Sequence, residues 1–418
     1  MIAIVGGGLT GLALAHELRR LDAPHVVLEA SDRAGGVVRS GRVDGHLLEW
    51  GPQRGRMTES LAALVRELGI EDEVVYAPAG LPLFVYRRGA LRPVPFSPGA
   101  FLRTSLLTPL AKARFLAEPL TGAPREGETV AGYLTRKLGR AAYTDLAGPL
   151  YGGLYASDPA DMLMELSLGH VLREFRVGRS LLLSLAKRGG SISPPSACSF
   201  REGMETLPRA LHAANRDAVR LETPVRAIRQ DGAGYALEVE GETIRADRVV
   251  LTVPAARAAR LLAEVAPEAA ARVGTLTYNP LAVVHAHAET DLRGLGYQVS
   301  LAEPLATRGV TFNDSLFGRK GVYTIYLGGA KRPDVVALPD DQIAEIALRE
   351  FREVTGFEAR ALSVARERMP AWDRSWAATR GLAYPHGIHV AANWESRPGI
   401  PGRLAQAKRL ARTLAART

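Results

Sequence analysis

A four-residue apolar run, IAIV at positions 2–5, leads directly into glycines at 6, 7, 8 and 11. Few folds tolerate that sequence at the start of a chain. Leu12, Leu14, Ala15 and Leu18 then recur at helical spacing, and HVVLEAS (25–31) reads as a second strand, so the opening is a βαβ unit. In such a unit Gly6 permits the tight turn, Gly8 lets the backbone approach a pyrophosphate, and Gly11 lets the helix pack closely on the strand. The helix N-terminus faces the phosphates. Glu29, 21 positions beyond Gly8, stands where a ribose-binding carboxylate belongs.

The chain has 418 residues, 47% hydrophobic and 23% charged, enough for two or three lobes around ordinary cores. Cys198 is the only cysteine, which excludes an internal disulfide and a thiolate zinc cluster and fits a reducing, cytoplasmic location. MIAIVGGG lacks the basic region of a secretion signal, and no apolar run is long enough to span a bilayer. Lys+Arg 53 against Asp+Glu 44 leaves +9, almost all of it arginine. Those arginines are dispersed and no nucleic-acid-binding motif accompanies them, so the charge is expected to serve anionic small molecules or a membrane surface.

Further along, residues 57–68 form an amphipathic helix and 78–99 are rich in Pro and Gly. Residues 100–190 read mostly as helices, broken by PLYGGLYASDP (149–159), and GGSISPPS (189–196) reads as a linker. Strands are expected over 224–255 and 275–330, a helix over 341–354, and a closing strand HVAANW before a last helix from Arg403. His285 and His287 are read as a pair on a strand surface rather than metal ligands, and Cys198 as a packed thiol. FSPGAFLRTSLLTPLAKARFLAEPL (96–120), apolar with Arg103, Lys112 and Arg114, reads equally as a membrane-surface segment, a tunnel lining or a buried helix pair.

LEASDRAGGVVRS (28–40) and LEWGPQRG (48–55) resemble the extended fingerprint of the FAD-dependent amine oxidase superfamily. Within it, FVYRRGALRPVPFSP, ETVAGYLTRKLG, PLYGGLYASDP, FREGMETLPRAL, SLFGRK and YLGGAKRPD are similar to the oxygen-dependent protoporphyrinogen and coproporphyrinogen oxidases. The resemblance spans roughly residues 1–410. It implies an α/β fold: a discontinuous Rossmann-like FAD-binding domain (1–75, 195–262, 380–418), a mixed-sheet substrate domain (76–95, 263–379) and a helical lobe (96–194). Non-covalent FAD would be held by Gly6, Gly8, Gly11, Glu29, Arg33, Gly35, Gly36, Arg39, Gly51, Pro52, Val225, Asn393, Trp394 and Ile400.

The resemblance further implies a haem-pathway oxidase taking six electrons from a porphyrinogen, with O2 as acceptor and H2O2 as by-product. Flavin N5 does the chemistry, and no catalytic side chain is assigned. Gly153 would let the macrocycle approach the flavin, and Phe317 would flank a pyrrole. Arg87, Arg88, Arg92, Arg319 and Lys320 are candidate partners for the acids of the anionic tetrapyrrole, with the inner membrane face or the next haem-pathway enzyme as further candidate partners. Ala392 replaces a family glycine before Asn393, Ser157 replaces a second glycine after Tyr155, and Leu83 occupies a propionate-binding arginine position. An amine oxidase or a carotenoid-type desaturase uses the same scaffold. Amine oxidases, however, generally keep a lysine near flavin N5, and none of the six lysines falls between 275 and 300.

Overall fold

A computed structural model describes residues 1–174, 177–187, 196–395 and 399–416. All of the predicted linker except Ser196 lies outside the described residues. The opening strand Ile2–Val5 is fully buried and sits at the centre of a five-stranded parallel sheet. Across that sheet the strands are Val219–Arg220, His25–Leu28, Ile2–Val5, Arg248–Leu251 and Ile388–Val390. The inner strands read as the apolar runs that burial in a parallel sheet calls for, IAIV, VVL of His25–Leu28 and VVL of Arg248–Leu251, while the edge strands are more exposed. Helix Leu9–Arg20 buries Leu12, Leu14, Ala15 and Leu18 against it, and the last helix, Ile400–Ala415, packs beside that helix through Leu404, Ala407 and Ala411.

The second large sheet has seven strands, in the order Arg360–Pro370, Tyr278–His287, Val322–Gly328, Thr307–Phe312, Gly296–Val299, Leu83–Arg87 and Ala90–Pro93. It is mixed, because Gly296–Val299 runs parallel to Leu83–Arg87 while the other pairs are antiparallel. Strand alternation divides its two faces. Ala282, Val284, Ala286, Tyr323, Ile325 and Leu327 pack under helix Asp340–Thr355. Leu281, Val283 and Tyr326 point the other way, clustering with Ala156 and Met369.

Residues 98–187 are mainly short helices. Ser97, Thr108 and Thr129 each cap one with the side-chain oxygen, and Pro98 and Pro109 occupy the first turns where a missing N–H costs nothing. The completely buried Lys137 Nζ lies 2.5 Å from Glu118 Oε1 and donates to the carbonyls of Gly122 and Arg179, while Glu118 accepts from the N–H groups of Leu181 and Leu182. Each buried charge is thus paired and hydrogen-bonded. The segment 96–120 is not a buried helix pair: Leu106 and Leu107 are buried, but Phe96, Leu102, Leu110, Leu116 and Leu120 are exposed. Among the described residues no helix is long and apolar enough to cross a membrane.

Candidate functional site

The first turn brings Gly6, Gly7, Gly8 and Gly11 against Gly35 and Gly36. Gly6 has φ +110°, and a Cβ there would lie 2.6 Å from Thr252 Oγ1; a Cβ on Gly11 would lie 2.0 Å from Gly6 O. Both are glycine for the chain's own packing. Gly8 differs. Its φ is −69° and the only atom a Cβ would meet is Gly36 Cα, at 3.9 Å. Nothing in the protein demands glycine at Gly8, whereas a ligand seated on the helix N-terminus would. The helix has no side-chain cap, so its first N–H groups are left to such a ligand.

Gly35 N donates to Gly7 O at 2.8 Å, which lays the second glycine pair over the first. Arg33 fixes that loop by donating to Gly36 O at 2.7 Å. Glu29 accepts from Gly7 N at 2.6 Å and from Ser31 N at 2.9 Å, so the predicted ribose carboxylate is oriented at the strand end. Thr223 N donates to Glu29 O, bringing 223–226 alongside. Val225 is not in a strand, which starts only at Ala227; it is buried, and among the described residues its N–H and C=O have no hydrogen-bond partner. Free backbone groups at this point suit the edge of an adenine.

The closing strand, Ile388–Val390, runs on into Ala392 and Asn393 beside the same sheet. Tyr278 donates its hydroxyl proton to Asn393 Oδ1 at 2.7 Å, and Arg403 donates to Ala392 O at 2.8 Å. Burial lowers Arg403 to about 10, still charged at neutral pH. Ala392 avoids the left-handed backbone region, so the alanine that departs from the family pattern is unstrained. Trp394 and Ile400 are buried, and the last helix, capped by Gly399 without a side-chain bond, opens its N–H groups toward this end of the sheet.

A polar seam joins the hairpin of strands Ser40–Val43 and His46–Glu49 to the seven-stranded sheet. Glu49 is buried and accepts from Met204 N at 2.9 Å, from Ser40 Oγ and from Arg319 Nη2 at 2.6 Å. Burial raises its pKa above the usual carboxylate value, and Arg319 and Ser40 hold the rise in check. The Glu49 carbonyl accepts from His285 Nε2 at 2.8 Å, and burial presses that imidazole down to about 4, so it is neutral. Gln53 Oε1 accepts from Asn313 at 3.1 Å and Thr324 at 3.0 Å. These contacts correct two expectations. His285 is buried in the seam rather than lying on a strand surface, and Arg319 already has an internal carboxylate. Phe317, half-buried, lies under the Arg319 guanidinium at 5.6 Å.

The remaining predicted residues fall into two groups. Arg39 stacks on Trp50 at 5.0 Å, and Gly51 and Pro52 follow in the turn; a Cβ on Gly51 would lie 1.9 Å from Val37 O. They border the glycine cradle. Arg87 lies away from it, 2.7 Å from Asp145 and 2.9 Å from Glu303, which raises its pKa chiefly through the Glu303 bond. Arg88 is exposed in the hairpin turn with φ +52°, Lys320 is exposed, and Arg92 donates to Ser105 Oγ at 2.9 Å. Gly153, in helix Gly148–Tyr155, is exposed, and the group a Cβ there would meet is the far end of the Gln298 side chain, with Oε1 at 2.1 Å, which can swing aside. The sequence reading missed Arg54 and Tyr278. Arg54 lies inside GPQRG, and nothing in that string tells a half-buried arginine from a surface one.

The flavin containing amine oxidoreductase family model matches residues 9–391. Protoporphyrinogen oxidase of Bos taurus is 30% identical over 79% of this chain and 77% of its own length. Coproporphyrinogen III oxidase of Bacillus subtilis is 25% identical over 97% of this chain and 96% of its own. Among solved structures, a candidate protoporphyrinogen oxidase from Exiguobacterium sp. 255-15 superposes with TM-score 0.82 at 24% identity, covering 100% of this chain and 99% of that one. Cyclohexylamine oxidase from Brevibacterium oxydans superposes at 0.75 with 17% identity, covering 100% and 98%; both likenesses concern the fold. The glycine cradle, the oriented Glu29 and the match over 9–391 together make this chain an FAD-dependent oxidoreductase of the flavin containing amine oxidoreductase family.

Proposed function

We propose that the protein oxidises a porphyrinogen, protoporphyrinogen IX or coproporphyrinogen III, to the porphyrin. Three two-electron steps consume three O2 and release three H2O2. The observation that carries this reading is the sheet face opposite helix Asp340–Thr355. Leu281, Val283, Tyr326 and Met369 make it apolar, and strand Tyr278–His287 offers no lysine to an amine substrate. A porphyrinogen needs little else: bound FAD supplies the hydride acceptor, and loss of hydride from a meso carbon leaves a cation delocalised over the pyrroles. The protein's task is to hold the macrocycle flat on the apolar face and keep water away. The seam residues position the flavin loop against that face, and the helix N-terminus at Ile400 supports negative charge on the ring.

In this reading residues 1–75, 195–262 and 380–418 hold the flavin, 76–95 and 263–379 hold the substrate, and 96–194 form the helical lobe. The exposed Phe96, Leu102, Leu110, Leu116 and Leu120, interleaved with Arg103, Lys112 and Arg114, suit contact with an anionic membrane surface. The test is to purify the yellow holoprotein and supply each porphyrinogen under air. Fluorescent porphyrin with about three H2O2 per molecule supports the reading; no porphyrin from either substrate refutes it.

A further inference from the structure

We propose that Arg54 is a carboxylate-binding residue on the inner wall of the substrate chamber, and that it favours porphyrinogens with an acid on every pyrrole over those with acids on two adjacent pyrroles. The inference rests on the porphyrinogen reading and deepens it.

The direction of Arg54 is set by a rigid turn. Gly51 is wedged against Val37 O, and Gln53 donates to Glu49 O at 2.9 Å while accepting from Asn313 and Thr324. On the other side, a Cβ on Gly55 would touch Cys198 Sγ at 3.4 Å. Thr324, which anchors Gln53, and Tyr326 are two apart on one strand and so share its face. Arg54 therefore leaves the turn next to the cluster of Leu281, Val283, Tyr326 and Met369.

The guanidinium is largely withdrawn from water, yet among the described residues it makes no hydrogen bond and no ion pair. Its neighbours offer no counter-charge. Glu49 is committed to Ser40, Met204 and Arg319; Tyr326 is a neutral phenol hydrogen-bonded to Thr311; and Arg56 repels. The other arginines around the seam have protein partners, Arg319 in Glu49 and Ser199 through Nη2 and Arg39 in the face of Trp50. A half-buried cation without a partner loses hydration and gains no counter-charge, and Arg is the side chain best shaped to grip a carboxylate in two places. None of its nitrogens is sealed by protein atoms, so the missing anion can come from outside.

The occupant that fits is a carboxylate carried on an apolar ring. In the porphyrinogen reading the reduced flavin would be met by the N-terminus of the last helix, whereas Arg54 lies beside Tyr326 of the seven-stranded sheet. A tetracarboxylate such as coproporphyrinogen presents an acid to Arg54 in any rotation of the ring, whereas a dicarboxylate does so in only some.

Equilibrium binding to the FAD-loaded enzyme tests this, by fluorescence quenching of coproporphyrin III (four acids) and deuteroporphyrin IX (two). Arg54→Gln should weaken coproporphyrin binding about tenfold or more, and Arg54→Lys about threefold or less. Both should leave the flavin spectrum and anaerobic photoreduction unchanged, as should the exposed charge control Arg293→Ala. An Arg54→Gln enzyme that binds coproporphyrin within about twofold of wild type overturns the proposal. So does one whose binding is intact while flavin reduction changes, which would assign the arginine to the flavin. If Arg54→Gln does not retain FAD, wild type decides: about tenfold preference for the tetracarboxylate supports the subsite and equal affinities overturn it. Wild type that binds neither porphyrin and oxidises neither porphyrinogen overturns the function itself, whereas an indifferent variant of an active enzyme overturns only the subsite.

Discussion

Replacing Arg319 by methionine should be among the most damaging single changes outside the glycine cradle. The Arg319 and Glu49 side chains are only 5% and 0% exposed, with 2.6 Å between Nη2 and Oε1. Removing one partner of a buried pair leaves an uncompensated charge and costs about 3–5 kcal/mol. The pH dependence has a definite sign. Burial already places the folded Glu49 pKa above its unfolded value, and losing Arg319 lifts it further. A carboxylate with a raised folded pKa binds its proton more tightly in the folded state, so stability falls as pH climbs from the unfolded toward the folded value. The variant's deficit should therefore be largest near pH 8 and shrink as pH falls and Glu49 takes up its proton. His285 acts in the same direction, since Arg319 is one of the groups that depress it. Urea denaturation followed by tryptophan fluorescence at pH 8 and below measures the difference. Glu49→Gln combined with Arg319→Met should recover part of the loss. A deficit below about 1 kcal/mol at pH 8, or one that does not vary with pH, would refute the assignment of the seam as a coupled buried pair.

The glycine turn separates two causes of failure: Gly8→Leu should fold with nearly unchanged apoprotein stability yet hold no FAD, whereas Gly11→Ala should unfold more easily even without cofactor, because its Cβ lies 2.0 Å from Gly6 O. Thermal melts of both apoproteins and flavin content after reconstitution check this. His285 is held down to about 4 against 6.5 when unfolded, so the unfolded chain binds the extra proton and stability is lost as pH falls through that window. Its share between pH 7.5 and pH 5 is roughly 2 kcal/mol, visible as an acid limb that His285→Gln flattens. Cys198, whose thiol burial pushes up to about 11, should ignore a thiol reagent such as DTNB in native buffer and react once per chain in urea.

The local parts of the fold were the readable ones. The strand, turn and helix at 2–20 and the strand at 25–28 declare themselves through period and glycine spacing, and Glu29 follows from distance along the chain. What binds residues far apart left no such trace. His285 looked like a surface residue because strand alternation says only that it and His287 share a face, and the seam that buries it is made by Glu49, more than two hundred positions away. Arg319 looked available for a substrate acid for the same reason. Gly8 was legible because its reason is local, and the structure sharpens it by showing that the protein itself leaves room there.

The polar seam also bears on why so much charge is buried at this boundary. Apolar residues of similar volume could join two sheets at least as stably, since a buried ion pair seldom gains more than it loses in desolvation. Apolar packing, though, tolerates sliding, whereas Glu49 is fixed at once by Ser40, Met204, Arg319 and, through its carbonyl, by His285 and Gln53. Two of these anchors, His285 and Arg319, belong to the seven-stranded sheet and its connections, while Ser40 and Met204 belong to segments on the other side of the seam. An oxidase that works by positioning needs its flavin loop and its substrate sheet held at one distance, and directional bonds satisfied in a single arrangement provide that where dispersion cannot. The double variant Glu49→Leu with Arg319→Met discriminates between the two roles. If the seam serves register, that variant should keep much of its folding stability while porphyrinogen turnover falls at unchanged flavin content; equal loss of both would reduce the seam to a structural contact.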